Sequence, residues 1–305
     1  MLTKWQFLRC ISNMGKSNKI VPQSMCNWLL LMIFVLQFIV SLLVKNVWSF
    51  LSKEPIQLHY YILIIEVFAV ALPMFLLCAF NGSEFSKTFG CKIVRFSNVW
   101  KCLCLGFCLQ PVAMVANSVW QMLFDIKSAT GNIMVSPDAK KFVLTFVFAC
   151  VVPAFCEEFL IRGMYISAVK RKGYIFAIVS STAMFVLLHS DVSLVAAHTI
   201  LGLVTALVVV GTGSVYSGVL VHIAFNMAGI ITDVIAANTG FVNNFAVCIV
   251  AATVGLFWSL MLLKRIDSKK SKRTEIKDFV VNLFRAFFNL PILIIIVIYI
   301  YRIVG

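Results

Sequence analysis

Apolar residues gather in nine runs, 27–44, 58–80, 102–124, 142–166, 174–190, 193–211, 214–237, 241–263 and 279–303, divided by short polar stretches. A bilayer core of ~30 Å is crossed by about 20 helical residues. Backbone polar groups in lipid must be satisfied within the segment that carries them, so an open sheet is excluded and each run reads as a helix. The pattern therefore predicts nine candidate transmembrane helices. The fifth, sixth and seventh are joined only by Asp191-Val192 and by Thr212-Gly213, which makes them antiparallel neighbours. No internal repeat, low-complexity segment or soluble domain interrupts the pattern.

Composition agrees. The 305 residues are 61% hydrophobic and 12% charged, against about 25% charged in a soluble domain. The fold class is an all-α polytopic membrane protein of about eight to nine transmembrane helices. The net charge of +14 would suggest nucleic acid in a soluble protein. Here the basic residues sit in short loops, where they orient the chain and touch anionic lipid, and no nucleic-acid partner is expected. The basic groups are Lys4, Arg9, Lys16 and Lys19; Lys87, Lys92, Arg95 and Lys101 against Glu84; Lys170, Arg171 and Lys172; and Lys264, Arg265, Lys269, Lys270, Lys272, Arg273 and Lys277. All fall on one side if the spans alternate, whereas Asp125 and Asp138 balance Lys127, Lys140 and Lys141 on the other. This places the N-terminus in the cytoplasm and the C-terminus outside. The first run follows a basic tail and lacks a small-residue cleavage site, so it reads as a retained signal anchor or an interfacial anchor. The ten cysteines lie mostly in apolar runs, and Cys102, Cys104 and Cys108 have no C-x-x-C spacing. Inert buried thiols are expected.

Chemistry enters in the fourth run. Phe142 to Tyr165 carries Glu157, Glu158 and Arg162 within six residues. One charge at the centre of a membrane helix costs about 2.5–3.5 kcal/mol. Glu158 and Arg162, at i,i+4, meet on one face and pair. Glu157 lies about 100° round the helix, a carboxylate with no partner on its own helix. Pro153 removes a backbone hydrogen bond one turn earlier and kinks the segment. Further on, Phe185 and His189 stand at i,i+4, as do His222 and Asn226, each pair on one helix face. His198 in the sixth run reads as hydrogen-bonding across to a neighbouring helix, Glu66 in the second as a structural buried acid, and Asp233 as interfacial. A carboxylate, two imidazoles and a carboxamide make a hydrolytic set: a base, a water-orienting group and oxyanion donors. The sequence has neither G-x-S-x-G nor H-E-x-x-H.

These motifs, E-E-x-x-x-R at Glu157–Arg162, F-x-x-x-H at Phe185–His189 and H-x-x-x-N at His222–Asn226, occur in that order. With them the sequence resembles the CPBP family of intramembrane proteases, which includes Rce-type CAAX proteases and bacterial Abi or bacteriocin-immunity-like proteins. The resemblance covers roughly residues 142–230. It implies an intramembrane endopeptidase in which Glu157 activates a water, His189 holds that water, and His222 with Asn226 stabilises the oxyanion. Glu158, Arg162 and Phe185 would be supporting residues. It also implies a division into residues 1–141, an anchor and three helices; 142–237, a catalytic core of four helices; and 238–305, two helices joined by a basic loop.

No cofactor is expected, because a glutamate base with histidine and asparagine donors needs no metal. Zinc held by Glu157, His189 and His222 is the alternative, since family members have been called metalloproteases. The expected partners are membrane lipids and a peptide or membrane-protein substrate: a prenylated CAAX protein, a pheromone or a bacteriocin. The expected location is a bacterial cytoplasmic membrane. The rival reading is a non-catalytic relative that binds and regulates a membrane partner. A transporter reading is weaker, as paired broken helices and inverted repeats are missing from the pattern.

Overall fold

The computed structural model describes residues 20–52, 56–126, 139–239, 244–266 and 276–304. Several basic positions used to orient the chain, Lys4, Arg9, Lys16, Lys19, Lys127, Lys269, Lys270, Lys272 and Arg273, lie outside the described residues, as do Asp138 and the terminal Gly305. The described chain is helical, without a strand. Its elements are α1 (Gln23–Leu51), α2 (His59–Phe80), the short α3 (Phe85–Phe89), α4 (Phe96–Phe124), α5 (Phe142–Lys172), α6 (Tyr174–His189), α7 (Val195–Thr212), α8 (Val215–Thr239), α9 (Phe245–Arg265), α10 (Ile276–Phe287) and α11 (Leu290–Val304).

Among the described residues, seven helices are long and apolar enough to span a bilayer: α1, α2, α4, α5, α7 with the turn before it, α8 and α9. An eighth is counted if α10 and α11 form one span, although they meet at a 69° bend. Two of the nine expected segments thus differ from expectation. The run 174–190 forms the 16-residue α6, ~24 Å long at 1.5 Å per residue and short of a full hydrocarbon core. The run 279–303 is broken at Phe288-Asn289. Its first part, IKDFVVNLFRAF, is amphipathic, with Asp278 in its first turn and Arg285 in its last. Such a helix suits an interface better than a hydrocarbon core.

α2 and α5 are not uniform α-helices. A π-helical turn, Glu66–Ala71, interrupts α2 just before Pro73, and another, Phe146–Val151, interrupts α5 just before Pro153. The two sites are built alike. The amide of Leu72 reaches back five residues to the Val67 carbonyl, and that of Val152 to the Val147 carbonyl. A proline lacks its own amide and crowds the carbonyl four residues earlier. Widening the preceding turn relieves the clash and keeps neighbouring carbonyls bonded, as lipid requires. The expected disturbance at Pro153 is therefore present as a widened turn. Pro111 inside α4 is carried without one.

The contacts divide the chain into two units, each assembled from separated segments: Met1–Lys92, Cys156–Ser181 and Ser271–Gly305 in one, Ile93–Phe155 and Thr182–Lys270 in the other. In the first unit α1 packs on α2 and α11, and α3 packs on the C-terminal part of α5. In the second, α4 is the central post, with α7, α8 and α9 against it. Exposed apolar side chains such as Leu43 and Phe50 on α1 and Phe257 and Trp258 on α9 are available to acyl chains.

Small residues let helices approach closely in membranes. At Gly106 of α4 an added Cβ would lie 2.3 Å from the Val221 carbonyl oxygen and 2.7 Å from Ala224 Cβ. This contact seats the stretch of α8 that carries His222. Gly106→Ala is expected to destabilise by about 1–3 kcal/mol, as overpacking does, read as a lowered Tm in detergent. Gly229→Ala, where nothing lies within 4 Å of the added Cβ, should leave Tm unchanged. Equal Tm values for the two variants would remove the close contact from the account.

Candidate functional site

The charged group of the first unit is built on α5. Arg162 Nη1 donates to Glu158 Oε1 at 3.0 Å, and both side chains are 0% exposed. The pair expected from the i,i+4 spacing is formed. It survives although Arg162 lies in a third π-helical stretch, Phe159–Tyr165, that begins directly after Glu158. No proline accounts for this stretch. Next to Arg162 is Gly163, where an added Cβ would lie 3.0–3.1 Å from Phe89. Phe75, Phe85, Phe89 and Phe159 pack around the same place, with ring centroids 4.6–6.4 Å apart. The wide turn is thus seated against α3, and its apolar surroundings keep water from the ion pair.

Glu157, on the same helix, is 8% exposed. Arg162 lies within electrostatic range of it. So does Glu66, the buried first residue of the π-helical turn in α2, whose carboxyl lies close to Cys156. Glu66, read from sequence as a lone structural acid, therefore stands beside the residue expected to act as base. Nothing in the spacing along the chain links positions 66 and 157. The nine cysteines among the described residues are free, as expected of inert thiols.

The imidazole group belongs to the second unit. His189 ends α6, and its Nδ1 lies 2.8 Å from the Phe185 carbonyl oxygen. A carbonyl only accepts, so Nδ1 carries the proton and Nε2 of the neutral ring keeps its lone pair. The Phe185 ring is fully buried and touches three imidazoles: His189 at 4.5 Å between centroids, His222 at 5.8 Å and His198 at 6.0 Å. His222 is 3% exposed, and Asn226, one turn further along α8, is half-buried. Phe185, His189 and His222 are thus brought together as the motifs imply. His198, read from sequence as hydrogen-bonding across to a neighbouring helix, joins them through its ring.

The turn after His189 is tied down with unusual thoroughness. Ser190 takes a left-handed conformation, φ 51°. Asp191 Oδ1 accepts from the Ser193 amide at 2.8 Å and from its hydroxyl at 2.7 Å. Three side chains of α4 then bind the same turn. Asn117 Nδ2 and Gln121 Nε2 donate to the Ser193 carbonyl at 2.7 and 2.9 Å, and Trp120 Nε1 donates to the Val192 carbonyl at 2.9 Å. Asn117 Oδ1 also accepts from the Ala197 amide at 3.3 Å. Buried carbonyls left over by the broken helix are thereby satisfied. The sequence reading gave these residues no role. Their i, i+3, i+4 spacing in an apolar run was the available signal.

Among the described residues, no group of three or more His, Cys, Asp or Glu side chains is arranged to hold a metal ion. His189 and His198 lie 3.8 Å apart with planes 31° from parallel.

The chain is an all-α polytopic membrane protein with buried glutamates on α5 and a cluster of imidazoles on α6, α7 and α8. Residues 139–228 match the family described as type II CAAX prenyl endopeptidase, Rce1-like. The matched stretch is less than a third of the chain and holds all three motifs. No curated protein matches the chain, and no solved structure does.

The ion pair yields a test. Arg162→Ala leaves Glu158 as an uncompensated buried charge and is expected to destabilise by about 3–5 kcal/mol, lowering folded yield in detergent. The double change Glu158→Leu with Arg162→Leu removes both charges and should recover much of that loss. An Arg162→Ala protein as stable as wild type would show that the pair does not hold α5.

Proposed function

We propose that the protein is an intramembrane endopeptidase that hydrolyses a peptide bond with a water activated by Glu157. The observation that carries this reading is the match of residues 139–228 to the CAAX prenyl endopeptidase family with every motif side chain present. The Glu157 carboxylate takes a proton from water as the oxygen bonds to the scissile carbonyl carbon. His189, whose Nδ1 proton is taken by the Phe185 carbonyl, accepts a hydrogen bond from that water at Nε2 and aims it. His222 and Asn226 donate to the oxyanion that forms. Glu157 then passes its proton to the leaving nitrogen, the C–N bond breaks, and a carboxylate and an amine result. Glu158 and Arg162 hold α5, and Phe185 seats the imidazoles.

A glutamate base with imidazole and carboxamide donors needs no metal, and a carboxamide is a poor zinc ligand. The proposed substrate is a prenylated protein or peptide ending in a CAAX sequence, the class named by the matched family. A farnesylated CAAX-ended peptide is the corresponding probe. With purified protein, Glu157→Gln should abolish cleavage while the fold survives. Asn226→Ala should slow it by about 10²–10³, the usual cost of one oxyanion donor. Chelation should leave the rate unchanged. Full activity of Glu157→Gln would overturn the assignment and favour the non-catalytic binding protein. Chelator-sensitive cleavage with one zinc per chain would overturn the metal-free mechanism.

We further propose that the N-terminus and the basic loops face the cytoplasm, across a cytoplasmic membrane. Lys101 Nζ donates to the Arg265 carbonyl at 2.9 Å, which supports a common side for the ends of α4 and α9. An even number of crossings must then separate them, and α4, α5, α7, α8 and α9 supply five. The short α6 has to count as the sixth. Cysteines introduced at Gly173 and Ser271, in a variant without its native cysteines, should label from the same side. Labelling from opposite sides would remove α6 from the crossings.

A further inference from the structure

α7 brings a histidine to the imidazole cluster that none of the three motifs contains. The His198 ring lies 3.8 Å from that of His189, centroid to centroid, with planes 31° apart. It meets Phe185 edge-on at 6.0 Å and 87°. Its buried Nδ1 has no hydrogen-bond partner among the described residues. A histidine in a membrane helix ordinarily serves by hydrogen bonding to a neighbour. What His198 offers His189 is a flat face at contact distance.

That face acts on a specific freedom. The His189 ring is held at one edge by the Phe185 carbonyl, 2.8 Å from Nδ1. Exchange of Nδ1 for the carbon on the other side of the ring needs a half-turn about the Cβ–Cγ bond. Midway through that turn the ring points an edge at His198, and 3.8 Å between centroids leaves no space for it. The hydrogen bond selects one orientation of His189 and the stacked ring blocks the path to the other. His198 is in turn fixed because α7 begins at the turn that Asn117, Trp120 and Gln121 bind.

Building on the hydrolytic reading above, we propose that His198 is a positioning residue. By stacking it locks His189 in the orientation and tautomer with Nδ1–H on the Phe185 carbonyl and the acceptor lone pair on Nε2. The role belongs to the ring face, and neither ring nitrogen of His198 takes part.

Phenylalanine keeps a flat face and removes both nitrogens, whereas alanine removes the face. Cleavage of the farnesylated CAAX-ended peptide by His198→Phe is expected within about threefold of wild type. An aromatic pair is worth about 0.5–1.5 kcal/mol, so His198→Ala should lower kcat by about two- to twelvefold, further than His198→Phe and with KM unchanged. Nitrogen-15 spectra of histidine-labelled full-length protein in detergent give a readout independent of turnover. His189 should show a single Nδ1–H tautomer in wild type and His198→Phe, and a mixture in His198→Ala. Should the alanine variant misfold, His198→Leu fills the space without a flat face and takes its place. A His198→Phe protein as impaired as His198→Ala would overturn the proposal in favour of a role for the ring nitrogens. A single His189 tautomer with unchanged kcat in His198→Ala would overturn it outright. If wild type does not cut the peptide, the proteolytic reading fails by itself and the spectra still decide whether His198 positions His189.

Discussion

A guanidinium in the interior of a membrane protein persists only where its charge is met, and Arg162 is met by Glu158 at 3.0 Å with both side chains sealed from solvent. The rest of the first unit's polar group follows from that pairing. Because the two residues are i,i+4 on α5, they fix which face of the helix turns inward. Glu157, one position earlier, is carried to a different direction by the helical rotation. The pair thus neutralises the Glu158 carboxylate, while Glu157 also lies within electrostatic range of Arg162. The wide turn Phe159–Tyr165 and the contact of Gly163 with Phe89 let a bulky, charged side chain sit beside a tightly packed aromatic cluster. Such packing excludes water, which strengthens the ion pair and also makes its loss expensive.

The second constraint is the backbone itself. In hydrocarbon a carbonyl without a donor has nothing to fall back on, yet α2 and α5 both contain a proline. Both meet it in the same way, by an amide reaching back five residues just before the ring. In α2 the widened turn begins at Glu66, so the backbone distortion and the buried carboxyl share one place. The turn between α6 and α7 solves the same difficulty with side chains. The carbonyls of Val192 and Ser193 are paired by Trp120, Asn117 and Gln121 rather than by helical amides. Some of the polar residues in these apolar helices, Glu66 and Arg162 among them, thus stand where the regular helix is interrupted.

This explains what was legible in the sequence. Helical class and most spans were, because length and hydropathy are set by bilayer thickness and recur in every helix. The Glu158–Arg162 pair was, because i,i+4 geometry is local. The length of α6 and the bend between α10 and α11 were not. An apolar run says nothing about whether its backbone is continuous, and the Asn289 and Pro291 positions that could break one run have counterparts elsewhere, such as Pro111 in α4, that do not. The neighbours of His198 and Glu66 were hidden for a different reason. Each looked solitary along the chain and gained its neighbours, His189 and Glu157, only through packing between helices. Residues that act through a partner on another helix leave no fixed spacing for a motif to capture.

The catalytic-type side chains themselves sit on helices or at their ends, where rotamers are restricted and little motion is available. His189 shows how such restriction becomes chemical information. A hydrogen bond within its own helix assigns the proton to Nδ1. A ring from α7 limits its rotation, and three side chains from α4 fix the turn that joins the two helices. None of these contacts involves a substrate, but together they decide which nitrogen is left to accept a hydrogen bond. In the proposed reaction, an imidazole free to flip would present Nε2 to the water only part of the time. Preorganisation of this kind costs nothing at the moment of reaction, because the ordering was completed when the helices packed. The polar residues of α4 are then as much a part of the site as the histidine they support.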